Sequence, residues 1–489
     1  MQRLSLVTLD QRAATVACSH YQREGRNIGI VHLGVGAFHR AHQAYYTDKA
    51  IAQFGGDWLI AGISLRSDDV MQQLVPQNGL YTLFEQEPAG QRTTVISSIS
   101  EVLFLGHQRA HIEQLLLRES VRIVSLTITE KGYCRLPSSG SLDLNNPDIQ
   151  HDLQHSNEPV TAIGLIVKSL DQRFKQQLPA ITLLSCDNLP GNGRALQQVV
   201  VEFAGHINSD LAQWISREIA FPNSMVDRIV PAVTATIKDQ VAAQLGLRDE
   251  ACVSSEGFSQ WVMEDHFANG RPPWDKVGAT FTDDVSAYEE IKLRLLNGAH
   301  SAMAYLGYLS DMKTIDECID NAIIRDYIHR LMVVEIAPVI ATPKGFDLHR
   351  YIEKLMGRFA NGALQHQCYQ IAMDGSQKIP QRLLSTITDA LQANKDIERL
   401  CLAVAAWMIY VTATDERGDS IIVQDPLAQQ MQKMAAQYRY QATELVDVLL
   451  GEQRIFSAEL ASNRHFKKTL TAALEQLLKK GVLGALSDV

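Results

Sequence analysis

Short runs of apolar and β-branched residues, separated by longer amphipathic stretches, fill the first part of this chain and nearly vanish after it. That change of period restricts the fold more than any other feature of the sequence. Residues 28–33, 58–64, 121–128 and 181–186 read as buried strands, and 93–100, rich in Thr, Val, Ile and Ser, as a weaker run suited to a sheet edge. Strands spaced in this way build a parallel sheet with crossover helices. Residues 270–275 (GRPPWD) then form a loop, and 282–284 are placed to begin a helix. Beyond them, 285–309, 321–341, 400–412 and 463–480 carry apolar spacings of three and four. The expectation is an α/β domain over residues 1–283 and a mostly α-helical domain over 284–489, consistent with 489 residues exceeding what one core usually organises.

Composition narrows the class of partner. With 46% hydrophobic and 20% charged residues and a formal charge of −10, the chain has the make-up of a soluble globular protein. It has no Lys/Arg stripe of the kind that tracks phosphates along a nucleic acid. No window approaches a membrane-spanning apolar stretch, and the first residues lack a basic segment followed by an apolar one. A cytoplasmic protein, off the membrane and working as a monomer or small homo-oligomer on a small molecule, is expected. Seven cysteines, none spaced C-x-x-C, suit a reducing compartment. His32, His39 and His42 straddle a glycine turn without an acidic or thiolate companion at ligand spacing, so no metal is expected there.

That glycine turn carries the first chemical signal. The strand at 28–33 runs into Gly34-Val35-Gly36, and Ala37-Phe38-His39-Arg40 can begin a helix. Gly34 permits a tight turn, Gly36 lets backbone N–H groups approach a pyrophosphate, and Arg40 offers a charged donor. His39 stands where a third glycine is usual, so the motif is incomplete and a plain strand-turn-helix fits equally. After the second strand, Asp68 or Asp69 would favour the ribose hydroxyls of NAD, whereas Arg66 could accommodate the phosphate of NADP.

The second signal lies at 288–309, YEEIKLRLLNGAHSAMAYLGYL, apolar on nearly every face from Leu293 onward. On an α-helix, Asn297 falls about 140° and His300 about 80° from Lys292, which places all three in one arc. A lysine whose pKa is lowered by desolvation can take a hydroxyl proton, a carboxamide can donate to an oxyanion, and an imidazole can orient a substrate hydroxyl. The same spacing also suits a lysine that snorkels to solvent while Asn297 and His300 satisfy each other. Asn188, in SCDNLPGNG after one strand, is a candidate second oxyanion donor, and Thr129 and Lys131 follow another strand. Asp227 and Arg228, adjacent in sequence, can also be read as an ion pair.

Together these segments resemble the mannitol dehydrogenase family of polyol-specific long-chain dehydrogenases. The resemblance rests on HLGVGAFHRAHQAYY (32–46), TITEKGY (127–133), SCDNLPGNG (185–193), FPNSMVDRIVP (221–231), QWVMED (260–265) and Lys292, Asn297 and His300 in K-x4-N-x2-H. It implies a Rossmann-type cofactor domain joined to a helical substrate domain, and metal-independent hydride transfer at a secondary alcohol. It makes Lys292 the general acid/base, Asn188 and Asn297 the oxyanion amides, His300 a substrate-positioning residue and Asp227 a neighbour of the substrate. Within the family, IAMDGSQKIPQR (371–382) resembles the branch that interconverts D-fructuronate and D-mannonate with NAD. That would place Lys378, with Arg382 or Arg358, near a substrate carboxylate. A neutral polyol such as mannitol and the tagaturonate/altronate pair are the alternatives, and Arg66 keeps NADP open.

Overall fold

The β-branched runs of the first unit, Met1–Ser286, become a five-stranded sheet. Its strands are β1 (Ile28–Leu33), β2 (Leu59–Ser64), β3 (Ile99–Phe104), β4 (Ile123–Leu126) and β5 (Thr182–Ser185), in the spatial order β3-β2-β1-β4-β5. Every pairing is parallel. Ile30, Val31, Leu33, Ile60, Ile63, Ile123 and Leu126 are fully buried. Helices cover both faces of such a sheet, which is why these strands are apolar almost without alternation. Chain order reverses between β1 and β4, so the carboxyl ends of those two strands form the crevice where open α/β sheets take ligands. This is a Rossmann-like arrangement. The computed structural model describes residues 1–489 except His20, Pro137, Ser138 and Glu416.

Two smaller sheets in this unit were not anticipated. One joins Ala17–Cys18, Gly90–Ile96, Tyr81–Glu87 and Val253–Glu256; the other joins Thr280–Thr282, Gln260–Glu264 and Ser224–Asp227. Their strands defeat a hydrophobic pattern because polar residues point inward to partners. Arg228, buried, bonds Glu85 at 2.5 Å and the Glu256 carbonyl at 3.0 Å, and Gln86 donates to Ser254 at 2.8 Å.

The expected edge strand at 93–100 is in fact the end of one strand and the start of another. The chain turns at Ser97 and Ser98, where Asp48 accepts from the Ser97 N–H at 2.9 Å and Ser98 donates to the Ala44 carbonyl at 2.7 Å. Ile99 onward is the edge strand β3. Likewise 282–284 does not start a helix. Thr282 closes a strand, and Asp284 accepts from the Ser286 N–H at 2.9 Å, so the helix begins at Ser286.

The second unit, Ala287–Val489, contains no strand among the described residues. Its central helix, Glu398–Tyr410, packs against Gly298–Leu309 and Arg464–Leu486 and is buried continuously from Leu400 to Tyr410. Burial of each large apolar side chain there is worth roughly 1.5–3 kcal/mol. Asn321 and Asn463 cap the helices beginning at Ala322 and Arg464, with side-chain oxygens accepting from Ile323 N–H and Phe466 N–H, both at 3.0 Å. Helical regularity is broken at Lys292–Asn297, Leu331–Ile336 and Pro380–Leu384, where the backbone widens into π-helical turns.

Candidate functional site

In the first unit the site grows from the turn after β1. Gly34 has φ of +93°, and a Cβ there would lie 2.1 Å from the Thr127 carbonyl oxygen, so only glycine fits. Gly36 is different. Its φ of −76° is open to any residue, and a Cβ would meet only the Gly34 oxygen at 3.9 Å. Neither strain nor packing demands glycine at 36; what its missing side chain leaves is open space above the backbone at the switch point. That is the fit a pyrophosphate lying close over the turn requires. Ala37 and Phe38 open the helix Ala37–Ala41 beside it.

Buried polar groups brace the turn from below. His32 lies 2.8 Å from both Ser125 Oγ and Thr127 Oγ1, and Thr127 donates to the Gly34 carbonyl at 2.7 Å. His39 stacks on His32 with centroids 3.4 Å apart. Burial pushes His32 down to about 3 and His39 well below the ordinary histidine range, so both are neutral packing elements. His42 lies 3.0 Å from the Gln260 carbonyl. Arg40, expected as a donor toward a pyrophosphate, is instead buried: its Nη1 donates to the Ala251 carbonyl and its Nε to the Gly36 carbonyl.

The segment after β4 is held by a residue that the sequence reading passed over. Asp187 accepts from the N–H groups of Ile128 (3.1 Å) and Thr129 (2.8 Å) and from the Tyr133 hydroxyl (2.8 Å). Thr129 has φ of +62° and ψ of 165°, a conformation costing roughly 1–3 kcal/mol that needs such support. Burial raises the Asp187 carboxyl above the usual carboxylate range, against the pull of its donors. Thr129, Lys131 and Asn188, the residue after Asp187, are all exposed. Asn192 ties the same loop to the next motif, donating to Ser224 O at 2.7 Å and accepting from Ser224 N–H at 2.9 Å. Ser224 opens the strand that carries buried Asp227. Asp227 and Arg228 are not an ion pair: the Arg228 guanidinium goes to Glu85, Glu256 and the Ala41 carbonyl. Arg66 and Asp69, beyond β2, are exposed, and half-buried Asp68 accepts from Gln72 at 2.9 Å.

In the second unit, Lys292 and Asn297 lie at the two ends of one π-helical turn rather than on an α-helix. The Gly298 N–H reaches back to the Leu293 carbonyl, a five-residue step. In a turn closed by such bonds, residues five apart stand one above the other, as residues four apart do on an α-helix. The wide turn therefore brings Lys292 and Asn297 onto one face, where regular α geometry would have held them about 140° apart. Arg294, on the same turn, pairs with Glu290 at 2.9 Å and Asp389 at 2.5 Å.

Asn297 and His300 do not satisfy each other. Asn297 Nδ2 and His300 Nε2 are both buried with no hydrogen-bond partner among the described residues. His300 sits against Phe359 and His366, at centroid distances of 4.8 and 5.3 Å. Burial drives it well below the usual histidine range, assisted by His366 and the guanidinium groups of Arg358 and Arg382. Arg382 donates to Ser301 Oγ at 3.1 Å, and Lys378 to the Ile371 carbonyl at 3.2 Å. Burial and the Lys378 ammonium push His366 down to about 4. Arg358 and Arg382 thus act on His300, and Lys378 on His366. His366 itself was not anticipated; a lone histidine outside any motif gave no signal.

Residues 28–276 match the mannitol dehydrogenase Rossmann domain, and 284–478 the mannitol dehydrogenase C-terminal domain. The chain is 43% identical to D-mannonate oxidoreductase of Escherichia coli K12 over 481 residues, covering 98% of each. It is 42% identical to the uncharacterized oxidoreductase YeiQ of the same organism over 489 residues, covering 99% of each. Its structure is similar to Pseudomonas fluorescens mannitol 2-dehydrogenase in a ternary complex with NAD and D-mannitol, with a TM-score of 0.91, 38% identity, and 100% of this chain and 99% of that one covered. A Rossmann sheet with an open glycine turn, followed by a helical unit bearing a lysine, an amide and an imidazole, therefore belongs to the mannitol dehydrogenase family of oxidoreductases.

Proposed function

We propose that this protein is an NAD-dependent oxidoreductase that interconverts D-fructuronate and D-mannonate. What supports the substrate is the positive charge that Arg358 and Arg382 bring to His300 and Lys378 brings to His366, which suits a carboxylate better than a neutral polyol. The 43% identity to a D-mannonate oxidoreductase supports the same choice. The alternative, a neutral polyol such as mannitol, draws support from the structural likeness to mannitol 2-dehydrogenase.

When bound, NAD supplies or accepts the hydride. The chain's own groups manage the proton and the charge. Lys292 takes the proton of the secondary hydroxyl in the oxidative direction and returns it in reduction. Asn297, whose Nδ2 has no partner among the described residues, donates to the oxygen as negative charge develops on it. Asn188 is assigned as the second amide on its motif. His300, neutral and without a partner at Nε2 among the described residues, orients a neighbouring hydroxyl. In the first unit, Gly34 and Gly36 shape the turn for the pyrophosphate, with Asp68 or Asp69 toward the ribose.

The test is a panel of hexuronates, fructose and other ketoses with NADH and NADPH. Reduction of D-fructuronate with NADH at a kcat/KM well above that for fructose is expected. Equal efficiency on the two would remove the carboxylate argument.

A further inference from the structure

We propose that His366 is a specificity-determining residue, donating from its ring to the carboxylate end of the substrate alongside Lys378. This deepens the hexuronate reading and rests on it.

The backbone around His366 is fixed. Its carbonyl accepts from Ile315 N–H at 3.0 Å, the Cys368 N–H donates to the Lys313 carbonyl at 2.8 Å, and Gln367 bridges to Thr314. The ring is set as firmly, standing at 89° to His300 with centroids 5.3 Å apart. A histidine placed so closely is not a mobile surface side chain. Yet its Nδ1 is buried with no partner among the described residues, as is Nε2 of the neighbouring His300. Buried polar atoms are usually satisfied in native proteins, so an unsatisfied nitrogen on each of two neighbouring imidazoles suits a polar ligand.

The surrounding charge selects that ligand. Arg358 and Arg382 bring positive charge to His300, and Lys378, on the short helix Gly375–Ile379, brings it to His366. A neutral imidazole keeps one N–H and can donate it beside the ammonium without adding to the repulsion among the cations. A carboxylate accepts from both. The terminal hydroxymethyl group of a neutral ketose has one oxygen and no charge, and gains less from the same pair. His300 lies on the helix Gly298–Leu309, which follows directly on the turn that carries Lys292 and Asn297.

The test compares wild type, His366→Phe and His366→Asn with D-fructuronate and with fructose, both with NADH, after checking that the thermal midpoints agree. Phenylalanine keeps an aromatic edge against His300 and removes both nitrogens; asparagine restores a donor near the Nδ1 position. For fructuronate, His366→Phe is expected to raise KM about 10- to 100-fold, the worth of one hydrogen bond to a charged group, with little change in kcat. Fructose constants should stay within about threefold, and His366→Asn should recover most of the loss. A fructuronate KM unchanged in His366→Phe, or an equal loss on both substrates, overturns the assignment of His366 alone. Wild-type protein that reduces fructose as well as fructuronate overturns the hexuronate reading, and this inference with it.

Discussion

His300 and His366 meet edge to face, with ring centroids 5.3 Å apart and planes at 89°, and both are held in the neutral form. Their burial makes stability depend on acidity. In an unfolded chain both imidazoles titrate near their ordinary value of about 6.5. In the folded protein His366 titrates at about 4, and His32, under the glycine turn, at about 3. As pH falls through the unfolded value, the unfolded chain takes up protons that the folded protein refuses, so stability is complete above that value and declines toward the folded ones. Each such histidine contributes up to about 1.4 kcal/mol per pH unit within its window. Urea midpoints should therefore drop between about pH 7 and pH 5, and His32→Gln should flatten part of the slope. A midpoint constant across that range would show that these histidines are not desolvated as described.

The two turn glycines should separate folding from cofactor binding. Gly34→Ala forces a Cβ against the Thr127 carbonyl at a φ of +93° and should cost about 2–4 kcal/mol of stability. Gly36→Ala meets open space and should leave the thermal midpoint nearly unchanged while weakening NADH binding by about tenfold or more. Fluorescence titration with NADH reads the second effect. A Gly36→Ala protein that binds NADH normally would mean that the space above the turn has another purpose.

Lys292→Ala should lower kcat about 10²- to 10⁴-fold, the usual share of a positioned base. Single-turnover kinetics with saturating NADH and fructuronate would separate this from substrate binding. Full activity in the variant would take the lysine out of the mechanism.

For the amides, Asn297→Leu and Asn188→Ala are each expected to reduce kcat about 10²- to 10³-fold. Lys292, on the same π-helical turn as Asn297, should keep its place in the Asn297 variant, because the turn is closed by backbone bonds. Retained turnover in Asn188→Ala with loss in Asn297→Leu would leave Asn297 as the sole donor.

Replacing Asp68 and Asp69 together with Asn should raise KM for NADH by about tenfold while changing KM for NADPH much less. The opposite ranking would assign the ribose end to Arg66.

The π-helical turn shows how far the site was legible. Lys292, Asn297 and His300 could be named from residue type and spacing, and the structure places them on one continuous run of helix. The face that Lys292 and Asn297 share is not legible in the sequence, because α-helical rotation does not hold across the π turn and no local residue signals one. Arg40 and Arg228 failed differently. Arg40 was expected to donate to a pyrophosphate and Arg228 to pair with Asp227, and both are buried on carbonyls of other segments, Ala251 and Glu256. Asp187 and Asn192, inside a motif already singled out, turned out to be the braces for the exposed Thr129 and Asn188.

The sequence alone determined whatever depends on neighbours within a few residues: the buried strands, the glycine turn, the amphipathic helices and the change of fold class near the middle of the chain. Backbone periodicity and side-chain size decide those locally. Tertiary structure alone decided the order β3-β2-β1-β4-β5, the two mixed sheets with inward polar residues, and the meeting of His300 with His366 and the cations of Arg358, Lys378 and Arg382. Those features arise from contacts between segments distant along the chain, and whether a buried charge or imidazole finds a partner there is set by packing that no local pattern encodes.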